Sequence, residues 1–131
     1  MEKINIHAKP DLSNDVINEL FFNAWENHQW KDFMPILDKS LVYIGAFSAT
    51  KLIGFVNIAW DGGSHAFLLD TTVHMDWQRR GIGKRIIENA IAITREHGVE
   101  WIHVDYESRY KDFYTACGFF ATNAGLIYLK A

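Results

Sequence analysis

The chain is 131 residues long, 49% hydrophobic and 22% charged, with a formal net charge of −3. That length makes one domain spanning residues 1–131, able to bury roughly two-thirds of its unfolded surface without a disulfide or metal staple. The acidic balance excludes a dedicated nucleic-acid binder, which needs a basic face, but leaves room for a local anion site.

Cys117 is the single cysteine, so no intramolecular disulfide forms, and a reducing compartment fits. No apolar run approaches the roughly 18–20 residues that cross a bilayer, so no membrane partner is expected. The opening residues Met1 to His7 lack the apolar stretch of a secretory signal. The expectation is a soluble cytoplasmic protein.

Lys3 to His7 alternates around Ile4 and Ile6 and reads as a short strand. Pro10-Asp11 then opens a helical pattern, with Leu12, Val16, Ile17, Leu20, Phe21 and Ala24 on one apolar face. Phe33, Ile36 and Leu37 suggest a second short helix before Lys39. Leu41 to Phe47 is rich in strand formers, Ser48 to Lys51 is a turn, and Leu52 to Trp60 is another strand. Asp61-Gly62-Gly63-Ser64 is a further turn, and His65 to His74 completes an antiparallel meander.

The period then changes. Ile82, Ile86, Ala90 and Ile93 share one helical face, with Ile87 and Ile91 beside it, and the helix ends near His97-Gly98. Val99 to Asp105 reads as a strand after that helix, which makes a crossover. A short helix follows around Arg109 to Cys117, and a last strand is expected from about Gly125 to Lys130. The fold class is α/β in the mixed α+β sense: a mixed central sheet flanked by helices.

The segment from Val73 to Arg85 carries the chemistry. A strand ends, a helix begins, and between them Gly81 and Gly83 are flanked by Arg79, Arg80, Lys84 and Arg85. The first amides of a helix have no partner within it, and the helix dipole adds positive potential. Glycine lets a ligand approach the backbone, so this junction suits a phosphate or diphosphate. A nucleotide P-loop is excluded, because Gly83-Lys84 is followed by Arg85 and Gln78 stands at its first glycine position. A dinucleotide fingerprint is excluded by Ile86 at its third small position.

What remains, Val73-x-x-x-x-Gln78-Arg79-Arg80-Gly81-Ile82-Gly83, resembles the acyl-CoA-binding motif of the GCN5-related N-acetyltransferases. Phe113-Tyr114-Thr115-Ala116-Cys117-Gly118-Phe119 is similar to that family's second signature, an aromatic pair on a helix followed by Gly-Phe. The spacing of the two signatures and the order of elements also match. The resemblance implies the acyl-CoA N-acyltransferase fold and transfer of an acetyl group from acetyl-CoA, as co-substrate, to a primary amine of a small molecule, peptide or protein.

It further implies that the backbone of Thr71, Thr72 and Val73 pairs with the pantetheine arm like an added strand. Gln78, Arg79, Arg80, Gly81, Ile82, Gly83 and Lys84 would hold the diphosphate. A backbone N–H near Val73 would polarise the thioester carbonyl. Tyr114 matches the family's general acid for the leaving thiolate. An alkyl amine arrives mostly protonated and needs a base. Asp70 is the first candidate, with Asp105 and Glu107 as alternatives.

His65, His74 and His103 read as structural, and no histidine or cysteine spacing suits a metal. Cys117 reads as a small hydrophobe. Trp25, Trp30, Trp60 and Trp77 are candidates to line an acceptor pocket or to pack. Glu107 stands where many members of the family place an asparagine that contacts CoA, and Met75 where a proline is common. Dimers are frequent in families of this type, so a homodimer is compatible. A non-catalytic CoA-binding regulatory module of the same fold is the alternative function.

Overall fold

The computed structural model describes residues 3–130. Met1, Glu2 and Ala131, the ends of the expected single domain, lie outside the described residues. The elements run β1 (Ile4–Ala8), α1 (Asn14–Ala24), α2 (Met34–Lys39), β2 (Ser40–Ser48), β3 (Lys51–Trp60) and β4 (His65–Val73). A short 3-10 turn (Met75–Trp77) leads to α3 (Ile82–Glu96) and β5 (Trp101–His103). A second such turn (Ser108–Tyr110) leads directly into α4 (Lys111–Ala116).

The five strands are ordered β1-β2-β3-β4-β5. The first four pair antiparallel, and β5 lies parallel to β4 after the α3 crossover. Meander and crossover are both as the sequence predicts. Helix α1 starts later than Pro10 suggests, because the Ser13 hydroxyl accepts from the Val16 amide at 3.2 Å and so caps the helix. Strand β5 is shorter than Val99 to Asp105, since only Trp101 to His103 find partners on β4.

The expected last strand is not present. No residue from Gly125 to Lys130 pairs with a strand, and Leu126, Ile127, Tyr128 and Leu129 are exposed. The residues have strand character, but among the described residues no strand lies alongside them to accept their backbone bonds.

Two cores flank the sheet. On one face α1 sets Ile17, Leu20 and Phe21 against Phe33, Leu52 and Phe55. On the other, α3 lays Ile82, Ile86, Ile87 and Ala90 across Ile44, Val56 and Ile58, joined at the rim by Tyr114. Each fully buried isoleucine contributes roughly 1.5–3 kcal/mol. That anchors α3, and with it the position of its N-terminus. Ile93, predicted on the same face, is only partly buried, and Thr94 is buried instead, its hydroxyl donating to Ala90 O at 2.8 Å.

Candidate active site

The pairing of β4 with β5 stops at Phe67 and His103. From Leu68 to Val73 the edge of β4 on that side has no strand partner among the described residues, which leaves a gap. β4 also carries an irregularity at this level. Phe55 pairs with Thr72 but Asn57 pairs with Leu69, so Asp70 and Thr71 together oppose Val56. Asp70 takes up the extra residue with φ at +62°. A bulge of this kind bends the strand and frees backbone groups from the ladder.

The junction closes one end of the gap. Gly81 caps α3 with φ at +79°, a left-handed conformation in which an L side chain is strained. The first bond of the new helix runs from the Arg85 amide to Gly81 O at 3.1 Å, so the amides of Ile82, Gly83 and Lys84 precede any helical acceptor. Gly83 serves a different purpose. A Cβ there would meet the Phe113 ring at 3.2 Å, so the second glycine lets α4 press against the start of α3.

The Gln78 side chain is spent within the chain: its Nε2 donates to Val73 O at 2.9 Å and ties the junction to the strand end. Arg79 is exposed with φ at +62°, and Lys84 and Arg85 are exposed beside it. The Arg80 guanidinium and the Lys51 ammonium both lie over the Trp77 ring, at 6.0 and 5.8 Å. Trp77 is thereby part of the basic wall. His74 exposes only 5% of its surface under a thin cover; burial, then Lys51, lowers its pKa. Its Nδ1 lies 3.1 Å from the Asp76 amide.

Tyr114 sits at the far side of the gap, 9% exposed. It stacks on Tyr106 with centroids 4.9 Å apart, and Phe113 and Phe119 meet it edge-on. Burial pushes its phenol above the usual value, with smaller contributions from Cys117, Tyr110 and Asp105, so the hydroxyl keeps its proton at neutral pH. The buried Thr71 hydroxyl faces the Tyr114 phenol as a hydrogen-bonding group and opposes that rise. A threonine hydroxyl beside a protonated phenol, next to an unpaired strand edge, suits a polar guest there.

Asp70 lies on the other side of the bulge. The residue as a whole is open to solvent, but its carboxyl end is crowded, and that crowding raises its pKa. Lys31 and a 2.9 Å hydrogen bond from Asn57 Nδ2 act in the opposite direction. Its openness keeps solvent screening strong. Thr72 is fixed from two directions: Trp25 Nε1 donates to its hydroxyl at 2.9 Å, and that hydroxyl donates to Asp70 O at 3.0 Å. Asn18 holds the loop that carries Lys31: its Oδ1 accepts the Lys31 amide at 2.9 Å, and its Nδ2 donates to Lys31 O and Asn14 O at 2.8 Å.

The structure thus sets Thr71 against Tyr114, and Val73 against Gly83 and Gln78 of the junction, along one unpaired strand edge that also carries Asp70 and Thr72. Asp105 and Glu107 are exposed on the loop after β5, and Glu107 is occupied by Arg109 at 2.8 Å. Of the tryptophans, Trp25 and Trp77 reach the site. Trp60 bonds to Gly63 O, and Trp30 is 57% exposed. Cys117 is half-buried, and burial raises its thiol pKa, so it is a poor nucleophile. His65 of β4 and His103 of β5 meet each other at 2.8 Å.

Sequence reasoning missed Asn57, Lys31 and Asn18. Asn57 had a visible signal: it is a lone amide inside the otherwise apolar run from Leu52 to Trp60. Among the described residues no three or more His, Cys, Asp or Glu side chains gather as a metal set, and no helix is long and apolar enough to cross a membrane.

The chain is 30% identical over 122 residues to the uncharacterized N-acetyltransferase ycf52 of Porphyra purpurea, covering 90% of this chain and 66% of that protein. The chain thus spans just under two-thirds of the curated relatives it matches. A GNAT family acetyltransferase from Streptococcus pneumoniae superposes with a TM-score of 0.81 at 24% identity, over 98% of both chains. The aminoglycoside N-acetyltransferase AAC(6')-Iy in complex with CoA superposes at 0.78 and 17% identity, over 99% of this chain and 96% of that one. These superpositions establish the acyl-CoA N-acyltransferase fold. The family model described as "Acetyltransferase (GNAT) family" matches residues 10–119, and on that match, with both signatures in place, the chain belongs to the GNAT acetyltransferase family.

Proposed function

We propose that the protein transfers an acetyl group from acetyl-CoA to a primary amine in a ternary complex. One observation carries the reading: the open amides of α3, the unpaired edge of β4 and the protonated Tyr114 border the same gap. Family membership and the CoA complex of a structural neighbour support the donor. The thioester supplies the activated acyl group. The amides of Ile82, Gly83 and Lys84, with the charge of Arg79, Arg80 and Lys84, hold the diphosphate. The backbone of Thr71 to Val73 extends along the pantetheine arm as a ladder. An amide near Val73 faces the developing oxyanion.

Tyr114 gives its phenolic proton to the departing thiolate. Asp70 takes the proton of the attacking ammonium, directly or through water, and Asn57 holds its carboxylate in place. A small or peptide amine is the acceptor, drawn by the acidic rim of Asp70 and Asp105.

Two measurements test this. Thermal-shift titration is expected to show stabilisation by CoA and none by ATP or NAD. Thiol release from acetyl-CoA with a panel of amines is expected to depend on the amine. Stabilisation without thiol release for any amine would identify a non-catalytic CoA-binding module instead. No response to CoA would remove both readings.

A further inference from the structure

Where β4 and β5 pair, the sheet sets two histidines side by side. Ala66 and Leu68 of β4 are buried in the core that α3 covers. The alternate residues His65, Phe67 and Leu69 therefore point to the opposite face, and all three are exposed. His65 pairs with Trp101 and Phe67 with His103, so His65 and His103 are diagonal neighbours on adjacent parallel strands. The Nδ1 of His65 stands 2.8 Å from the Nε2 of His103. Phe67 stacks on the His103 ring, with centroids 4.9 Å apart and planes 20° from parallel, and so sets its orientation.

A neutral pair at this distance shares one N–H···N hydrogen bond, a modest gain on an exposed surface. The same two nitrogens also suit a metal ion. Imidazole nitrogens coordinate such ions at about 2.0–2.1 Å. Two ligands at right angles then stand about 2.8–3.0 Å apart, and two at the tetrahedral angle about 3.3–3.4 Å. The observed 2.8 Å falls in the right-angled range, the geometry that Cu²⁺ and Ni²⁺ prefer. Carboxylates lie close by in the fold. Asp61 Oδ1 accepts the His65 amide at 3.3 Å, and Glu100 Oε1 lies 3.5 Å from the hydroxyl of Ser64.

We propose that His65 and His103 chelate a divalent ion of square-planar or tetragonal preference, Cu²⁺ or Ni²⁺, with water in the remaining positions. Each ring tilts about its Cβ–Cγ bond until both lone pairs meet at the ion. The hydrogen between the rings passes through solvent to the outer nitrogen of its own ring, so both imidazoles stay neutral. Hard ions such as Mg²⁺ and Ca²⁺ require oxygen donors and gain nothing from this pair. The two histidines are 38 residues apart, so no sequence spacing announces them; the β4–β5 register assembles them. The site is independent of acetyl transfer and stands or falls separately from it.

Calorimetry of the tag-free chain with nickel chloride is expected to show one ion per chain. Copper is expected to bind more tightly than nickel or zinc, and magnesium to give no heat. His65→Ala and His103→Ala are each expected to weaken nickel binding roughly tenfold or more, because each leaves a single imidazole. His7→Ala and His97→Ala, at two other exposed histidines, are expected to leave it unchanged. Circular dichroism verifies that each variant is folded. Substoichiometric Cu²⁺, which is paramagnetic, is expected to broaden the amide resonances of residues 65–67 and 101–103 of the unaltered chain before any others. Absence of saturable nickel and copper binding would overturn the proposal. So would binding indifferent to both His65→Ala and His103→Ala, or broadening centred on another part of the chain.

Discussion

Tyr114 combines two properties that general acid catalysis needs: a proton retained at neutral pH and a position on the gap. Tyr114→Phe keeps the ring packing on Tyr106 and removes only the hydroxyl. Steady-state kinetics are expected to show kcat lowered by roughly 10²-fold, with KM for acetyl-CoA little changed. Asp70 is proposed for the complementary task of general base. Burial raises its pKa, so kcat/KM is expected to fall as acidification protonates it, at a higher pH than for an open carboxylate. Asp70→Asn is expected to remove that acid limb and to lower kcat/KM by roughly 10²-fold for alkyl amines.

His74 makes a prediction about stability. Its folded pKa lies below the unfolded 6.5, so the folded state favours the neutral ring. This contribution is complete above pH 6.5 and is lost as the pH falls through the folded value. Urea midpoints measured from pH 7 to 5 are expected to decline, and His74→Gln to flatten the decline.

At this scale the sequence exposed Tyr114, because its motif is local: aromatic pair, glycine, phenylalanine. It offered Asp70 as the first candidate base, with Asp105 and Glu107 as alternatives. What separates them is the bulge, a mismatch between two strands, and no single stretch of residues records it. Asn57 and Asn18 act across 13 residues or more and escaped for the same reason.

At the level of elements, the two glycines of the junction have different reasons to exist, and substitution separates them. Gly81→Ala meets no atom but must hold φ at +79°, a cost of about 1–2 kcal/mol. Gly83→Val drives a branched side chain into Phe113 and is expected to cost about 1–3 kcal/mol by overpacking, while displacing the amides of α3. Denaturant midpoints and calorimetric CoA affinity check both, and Gly83→Val is expected to lose more affinity. Helices α1 and α3, the meander and the crossover were all legible, because amphipathic periodicity and turn residues are written along the chain. The segment 125–130 was read correctly for character and wrongly for state. Strand propensity says what a residue tolerates, and pairing needs a neighbour that the chain alone does not supply.

For the whole molecule, α3, α4 and β4 come together around Gly83, Phe113 and Thr71, so a ligand bound there is expected to couple them. CoA at a hundred times its Kd is expected to add about 2.7 kcal/mol of stability. Pantetheine, which lacks the diphosphate, is expected to add far less at equal concentration. Thermal unfolding with each ligand makes the comparison, and equal shifts would show that the junction contributes nothing.

The strand order has a last implication. Each strand of the sheet lies next to its neighbour in the chain, and antiparallel neighbours accumulate until β4. There the chain abandons the hairpin and travels over a helix before returning. Hairpins zip together along their length, whereas a returning strand need only touch where its helix delivers it. The seam between these two ways of building is left unstitched, and any guest molecule that can offer amide-like groups inherits it as a ready-made berth.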